Sequence, residues 1–234
     1  MRILTWNILA QETLPEDAIC WQQRLGKILQ TILSIDADII LLQEVDLAMF
    51  NDDFAPLFDQ WHRVSHMINK KRTLHFGNAT LWRRELGECD QVIERSRCLH
   101  VRLANSKLII TNVHLPVGRG FEGCLNRMSH IESCKKVWQN AREIIMGGDF
   151  NESMSNPFGL VLDLRNFGFE FHDLPKLTCR TFSGHVHDID HLCYKSVSFK
   201  FVGDPHLPSS LPYEIDENNP SDHIPCVYLI KCIN

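Results

Sequence analysis

Apolar positions along this chain repeat with two different periods. Ile3, Leu4 and Trp6 lead almost unbroken to Asn7; Trp21, Leu25, Ile28, Leu29, Ile32 and Leu33 recur at helical spacing; and Asp38-Ile39-Ile40-Leu41-Leu42-Gln43-Glu44 returns to a continuous apolar run. Such a run marks a strand buried on both faces, so the chain is predicted to open strand, helix, strand. Phe76 to Trp82, Lys107 to His114 and Glu143 to Gly148 read as further strands. A helix is expected between about Cys124 and Trp138, and Asn156-Pro157 is expected to start another, because proline suits a first helical turn. The last third changes character. Short strand candidates near Cys179 to Phe182, Ile189 to Tyr194, Val197 to Val202 and Pro225 to Ile230 are parted by Gly, Pro, Ser and Asn clusters, and Asp204 to Pro220 reads as a polar, proline-rich surface loop. The expectation is a single domain over residues 1–234, with α/β layers closed by a β-rich half.

Composition narrows the class. With 44% hydrophobic and 23% charged residues among 234, the chain is an ordinary globular protein and not a disordered or fibrous one. A formal charge of -5 excludes the overall basic excess of proteins held to nucleic acid mainly by charge, so any phosphate affinity must be local. Nine cysteines, an odd number without a C-x-x-C pair, fit neither a disulfide framework nor a zinc knuckle; reduced thiols and a cytoplasmic location are expected. The first residues lack the longer apolar core of a signal peptide, and no stretch is apolar enough to span a bilayer. A monomer is the expected state.

The chemistry collects where strands end: Asn7 after β-like Ile3 to Trp6, Glu44 after Ile39 to Gln43, His114 after Leu108 to Val113, and Asp149 after Ile144 to Gly148. In α/β folds such positions face the loops of one rim, where ligands bind. Carboxylates of Glu44, Asp149, Asp190 and Asp222 and amide oxygens of Asn7 and Asn151 suit a hard cation, Mg2+ with Mn2+ as a substitute. A cation there would neutralise a phosphoryl group while a carboxylate or imidazole deprotonates water.

The segments Thr5-Trp6-Asn7, Leu42-Gln43-Glu44-Val45, Asn112-Val113-His114-Leu115, Gly148-Asp149-Phe150-Asn151, Ile189-Asp190-His191 and Ser221-Asp222-His223 resemble, in order and over nearly the whole chain, the signatures of the endonuclease/exonuclease/phosphatase superfamily. That resemblance implies a four-layered α/β sandwich, two mixed sheets face to face with helices outside, and one metal site at the sheet rim. It implies Glu44 as principal metal ligand with Asn7 beside it and Asp222 completing the metal or water network. Asp149 would orient or deprotonate the attacking water, Asn151 would hold a phosphate oxygen, and His223 would contact the phosphoryl group with Asp190 orienting its ring. His114 would stabilise charge on the phosphorane. Trp6 to Gln11, followed by Trp21, Arg24, Ile28-Leu29 and Leu42 to Asp46, resembles the nocturnin and carbon-catabolite-repressor deadenylase branch. The sequence departs from that branch in being compact, in His191 where tyrosine is usual, and in lacking aromatic residues just after His114.

Each residue also has a plainer reading. Asn7 alone is a strand-end hydrogen bonder, Glu44 a helix-start carboxylate and Gly148-Asp149 a turn. His185-Val186-His187-Asp188-Ile189-Asp190-His191 resembles the H-x-H-x-D-H zinc motif of metallo-β-lactamase-like hydrolases, but the spacing is one residue too long, and His185, His187 and His191 are assigned to a rim or loop. Lys70-Lys71-Arg72, Arg83-Arg84, Arg95 with Arg97 and Lys135-Lys136 are read as solvated faces. Arg119, between two glycines in the loop after His114, is the one cation placed to reach a substrate phosphate. Trp61, Trp82 and Phe121 are assigned to the core over base stacking, and Cys193 and Cys226 to packing. The expected function is Mg2+-dependent phosphodiester hydrolysis on nucleic acid, with single-stranded RNA as partner and a 3' exonuclease or RNA-end processing enzyme as the form. The rivals are hydrolysis of a small nucleotide, inositol phosphate or phospholipid, and a non-catalytic binding protein on the same fold.

Overall fold

Successive residues of β1 (Arg2–Asn7) and β2 (Ile39–Asp46) feed different cores, as strands with two buried faces must. Ile3, Ile39 and Leu41 join Val101, Ile110, Ile145 and Leu192 in an inner core, whereas Leu4, Trp6, Ile40 and Leu42 face the opposite way, against Trp21, Ile28 and Ile32 of α1 (Trp21–Ile35). The computed structural model describes residues 1–234 except 15–17, 68–74, 96, 157–158, 173–176, 182, 204–214, 217 and 234.

After β2 come α2 (Phe50–Asp53), β3 (Trp61–Met67), β4 (Phe76–Arg83), β5 (Cys89–Arg95), β6 (Cys98–Leu103), β7 (Ile109–His114), α3 (Gly120–Trp138), β8 (Ile144–Asp149) and α4 (Leu160–Asn166). The remainder is β9 (Glu170–Phe171), β10 (Cys179–Arg180), β11 (Val186–His187), β12 (Asp190–Lys195), β13 (Phe199–Phe201) and β14 (Cys226–Cys232). The strands make two six-stranded mixed sheets, ordered β13-β14-β1-β2-β4-β3 and β5-β6-β7-β8-β12-β9, with β10 and β11 paired apart. On the outer face of the second sheet, Ile109, Val113 and Met146 pack against Ile131, Cys134 and Trp138 of α3 and Leu160 and Leu164 of α4. The result is the four-layered α/β sandwich expected from the sequence. The pairs β1/β2 and β7/β8 are parallel, each joined through a helix, and their carboxyl ends meet at one rim.

Between the sheets runs a polar seam. Gln43 Nε2 donates to Asn112 Oδ1 at 2.8 Å, and Asn112 Nδ2 donates to the carbonyls of Leu42 (3.0 Å) and Ala79 (2.9 Å). Asn78 in turn donates to Asn112 O at 3.2 Å. These fully buried amides pin β7 of one sheet against β2 and β4 of the other, a few residues from the rim.

The structure departs from the periodicity reading in places with a physical cause. Strand β5 is a largely exposed edge and carries no apolar signature. Helix α3 starts at Gly120, earlier than Cys124, because its first turn faces solvent. Helix α4 starts at Leu160, not at Asn156-Pro157: the Glu152 carboxylate accepts the Leu160 N–H at 2.6 Å and sets the helix start there, while Pro157 lies outside the described residues, as do Lys70-Lys71-Arg72, Phe182 and most of Asp204 to Pro220. All nine cysteines are free thiols. Among the described residues no helix is long and apolar enough to cross a membrane.

Candidate active site

Two backbone devices aim the first half of the site. The β2/β4 register passes from Leu42↔Ala79 to Val45↔Gly77, so Gln43 and Glu44 together face one residue of β4. At this bulge Glu44 adopts a left-handed φ of +59°, a conformation that costs a non-glycine residue roughly 1–2 kcal/mol and re-aims its side chain. The Glu44 carboxylate accepts Ala10 N–H and Asn7 Nδ2, each at 3.0 Å. Leu9, with φ +59°, is the other strained residue in this corner. The fully buried Arg24 guanidinium grips that turn, donating to Ile8 O at 2.9 Å and to Leu9 O.

The second half is aimed by Gly148. Its φ is +146°, and a Cβ there would sit 1.9 Å from Val113 O, so only glycine lets β8 press against β7 and bring the facing pair His114 and Asp149 to the rim. Asp149 Oδ1 accepts Asn151 N–H at 2.8 Å and Oδ2 accepts Asn7 Nδ2 at 3.1 Å, so Asn7 bridges Glu44 and Asp149 across the two sheets. His114 Nε2 stands 3.7 Å from Glu44 Oε1 and 3.8 Å from Asp149 Oδ2. Asp190, opposite Asp149 in β12, holds His223 Nδ1 at 2.8 Å, which leaves Nε2 directed at Asp149 Oδ2 (3.8 Å) and Asp222 Oδ1 (3.9 Å). Ser221 fixes this turn by donating to Asn7 O at 2.7 Å and accepting His223 N–H at 3.1 Å.

Crowded carboxylates in a desolvated corner set the electrostatics. Burial, reinforced by Asp190, pushes Asp149 up to about 7. Burial also raises Asp222 and brings His114 down to about 4. For His223 burial opposes charge, but Asp190 outweighs it and the ring is held well above the ordinary imidazole value. The Asp149 carboxyl and the His223 ring are thus pushed up and the His114 ring down, the separation of proton affinities that acid–base chemistry uses.

Asn7, Glu44, His114, Asp149, Asn151, Asp222 and His223 line a single open cleft of about 500 Å³, and Arg119 stands exposed on its rim. Asp190 does not line it; fully buried, it lies behind His223. Asn151, at φ +48°, donates from Nδ2 to Leu115 O at 2.9 Å. Two assignments are corrected. His191 is not on the rim: it is 1% exposed and its Nε2 bonds Glu152 O at 2.8 Å behind the site. Phe121 is not core: it is 75% exposed beside Arg119, with Val117 at 81% in the same loop. Trp61 and Trp82 are buried, as are Cys193 and Cys226.

Three contributors escaped sequence reasoning. Arg127 and Glu152, both buried, pair at 2.8 Å beneath the cleft, and Arg127 also holds the carbonyls of Pro116 and Gly118, the loop that carries Arg119. An arginine and a glutamate in helical and loop contexts carry no local signal of burial. Cys179, on β10, has its thiol beside His223 and Asp222.

The donors present fit a hard divalent cation. Glu44 and Asp222 contribute carboxylates to one wall, and Asp222 Oδ1 is buried with no hydrogen-bond partner among the described residues, an orphaned acceptor that a cation would satisfy. In the rotamer present Asn7 turns its oxygen to Leu9 N–H (3.0 Å) and its nitrogen to the carboxylates; half a rotation of the amide presents the oxygen instead.

The model of the Endonuclease/Exonuclease/phosphatase family matches residues 4–223. The CCR4-Not complex 3'-5'-exoribonuclease subunit Ccr4 of Saccharomyces cerevisiae is 23% identical over 225 residues, which cover 79% of this chain and 25% of that one. The human Nocturnin catalytic domain with bound sulfate superposes at TM-score 0.69 and 20% identity, covering 100% of this chain and 94% of that one. ANGEL2, described as a 2',3'-cyclic phosphatase, superposes at TM-score 0.78 and 17% identity, covering 97% and 93%. This chain spans a quarter or less of the length of the curated relatives it matches.

Proposed function

Because the chain belongs to the endonuclease/exonuclease/phosphatase family, we propose that it is a Mg2+-dependent phosphodiesterase acting on nucleic acid, a 3' exonuclease or RNA-end processing enzyme whose substrate is single-stranded RNA. The observation that carries this reading is the placement of His223 Nε2, its ring held through Nδ1 by Asp190, 3.8 Å from Asp149 Oδ2 in a cleft that Glu44, Asp222, Asn7 and Asn151 also line. A phosphoryl group bound against both side chains would meet a base and a proton donor.

In this reading Glu44, with Asn7 and Asp222, would hold the cation, which when bound supplies Lewis-acid neutralisation of the phosphoryl oxygens. Asp149 orients and deprotonates the attacking water. His223, its ring fixed by Asp190 on Nδ1, presents Nε2–H to the phosphoryl group, and His114, neutral at physiological pH, donates to an equatorial oxygen. Asn151 and Arg119 bind non-bridging oxygens, Arg119 by its planar guanidinium. The exposed Phe121, two residues from Arg119, favours an unpaired strand, since base faces stack on aromatic side chains without regard to sequence. A monomer in the cytoplasm completes the proposal.

The test is a substrate panel: labelled single-stranded RNA, single-stranded DNA, duplex DNA, 2',3'-cyclic phosphate ends and small nucleotides, each with Mg2+, Mn2+ or excess EDTA. Ladders growing from the RNA 3' end and abolished by EDTA support the reading. Turnover of only a small nucleotide or phosphorylated headgroup would replace it with small phosphate ester hydrolysis.

A further inference from the structure

A second cluster of donor side chains, of different chemistry, lines the same cleft. Cys179 Sγ, a carboxylate oxygen of Asp222 and a ring nitrogen of His223 all lie within 4.8 Å of one another. The backbone explains why. Cys179 of β10 is directly opposite His187 of β11 on one side and makes a lone antiparallel bridge to His223 on the other. Directly opposed residues project to the same face with their Cβ atoms about 4.5–5.5 Å apart, so His187, Cys179 and His223 form a row across three chain segments, and all three line the cleft.

We propose that this row, with Asp222, is a binding site for a thiophilic divalent cation of the Zn2+ type. A thiolate, two imidazoles and a carboxylate form a set that zinc accepts in tetrahedral geometry and magnesium does not. His223 Nδ1 is committed to Asp190 at 2.8 Å, which fixes the tautomer and leaves Nε2 as the ligand atom, the carboxylate–histidine–metal arrangement that orients such ligands. His223 Nε2 and Asp222 Oδ1 are 3.9 Å apart, against the roughly 3.4 Å that bond lengths of about 2.0–2.2 Å give around a tetrahedral ion, so little closure is needed. Asp222 Oδ1 has no hydrogen-bond partner among the described residues. His187 is exposed and free to swing in as the fourth donor. Binding displaces two protons to solvent, one from the Cys179 thiol and one from His223 Nε2. Only the consequence for turnover rests on the hydrolase reading: an ion here removes His223 and Asp222 from the reaction, making the site inhibitory.

The test reads binding, not catalysis. Co2+ replaces Zn2+ as a coloured probe in a Cys20→Ser/Cys232→Ser background, which removes the two exposed thiols. The expected result is a sulfur-to-cobalt charge-transfer band with intense tetrahedral visible bands, displaced by one equivalent of Zn2+ and, because Mg2+ shares only Asp222 with this set, weakened by Mg2+ only in large excess. Cys179→Ser loses the charge-transfer band and weakens Zn2+ by more than the roughly 10–100-fold that loss of an outer-shell partner costs. His187→Ala, at an exposed position, keeps the band and weakens binding roughly tenfold, and it carries the test should Cys179→Ser fail to fold. A parent protein without the band, or Zn2+ affinity unchanged in either folded variant, overturns the proposal, whatever the substrate panel finds.

Discussion

Replacing Arg127 by methionine isolates what the buried pair under the cleft contributes. The substitution keeps the apolar stem on α3 but removes the guanidinium, which is 4% exposed, from Glu152, which is 2% exposed. Glu152 keeps the Leu160 N–H and the Asn156 amide as donors, yet its charge loses the one cation paired with it. Breaking a buried ion pair from one side costs about 3–5 kcal/mol, most of it the penalty of the charge left behind. For a chain of this size that is a Tm drop of roughly 6–20 °C. Arg127→Met/Glu152→Gln removes the stranded charge, so the double variant is expected to recover about half the loss and to cost less than the two single substitutions added together. Arg127 also anchors Pro116 O and Gly118 O (2.9 Å), so the loop bearing Arg119 loosens and KM rises about tenfold while kcat changes little. Urea and thermal unfolding of the four members of the cycle, with steady-state kinetics, check this. A single-variant cost below about 1 kcal/mol, or strict additivity, would refute the claim that these charges depend on each other.

Three further outcomes follow from the same geometry. Asn112→Ala strips the Leu42 and Ala79 carbonyls and the Gln43 amide of a buried partner, and at about 1–3 kcal/mol per group left unmade it is expected to cost about 3 kcal/mol or more in urea unfolding; a cost under about 1 kcal/mol would mean the seam does not hold the sheets in place. Gly148→Ala drives a Cβ to 1.9 Å from Val113 O at φ +146° and is expected to yield little soluble protein, whereas a stable variant with full activity would show that β7 and β8 can part at the rim. The carboxyl of Asp149, at about 7, lies above its unfolded value near 3.9, so its stabilisation is complete below the unfolded value and is lost as pH rises through about 7. A cation replaces that proton, so Mg2+ should raise Tm more at about pH 8 than at about pH 6, and Glu44→Gln should remove the increment; an increment independent of pH, or intact in the variant, counts against a cation in this cleft. His114 acts in the opposite sense, since its depressed value makes the native state lose stability as pH falls from about 6.5 towards 4.

Much of the fold was legible because its central strands are buried on both faces: Ile39 to Leu42 and Ile144 to Met146 are continuous apolar runs, and each ends in a polar residue with no packing reason to be there. The edges were not, since β5 carries five exposed positions among seven and β10 and β11 are two residues each. The strand-end residues were legible as a set, and the structure does bring Asn7, Glu44, His114 and Asp149 to one rim. What aims them was hidden. Neither the bulge at Gln43-Glu44, nor the +59° turn at Leu9, nor the pairing of Arg127 with Glu152 across 25 residues has a local pattern, because each depends on what another segment places opposite. His191 and Phe121 differ from expectation for the same reason: a histidine in a polar run reads as rim or loop and an aromatic as core, and tertiary contacts bury the one and expose the other.

In the proposed mechanism Asp149 and His223 act on the same phosphoryl group, one as base and the other as proton donor. Turnover of the substrate identified by the panel, measured for the parent, Asp149→Asn and His223→Ala under saturating Mg2+ with folding checked by thermal unfolding, tests it most directly. Loss of at least roughly a hundredfold in kcat for each folded variant is the predicted result, on the scale of an acid–base or electrostatic group removed from a transition state. Near-parental turnover in both would contradict it.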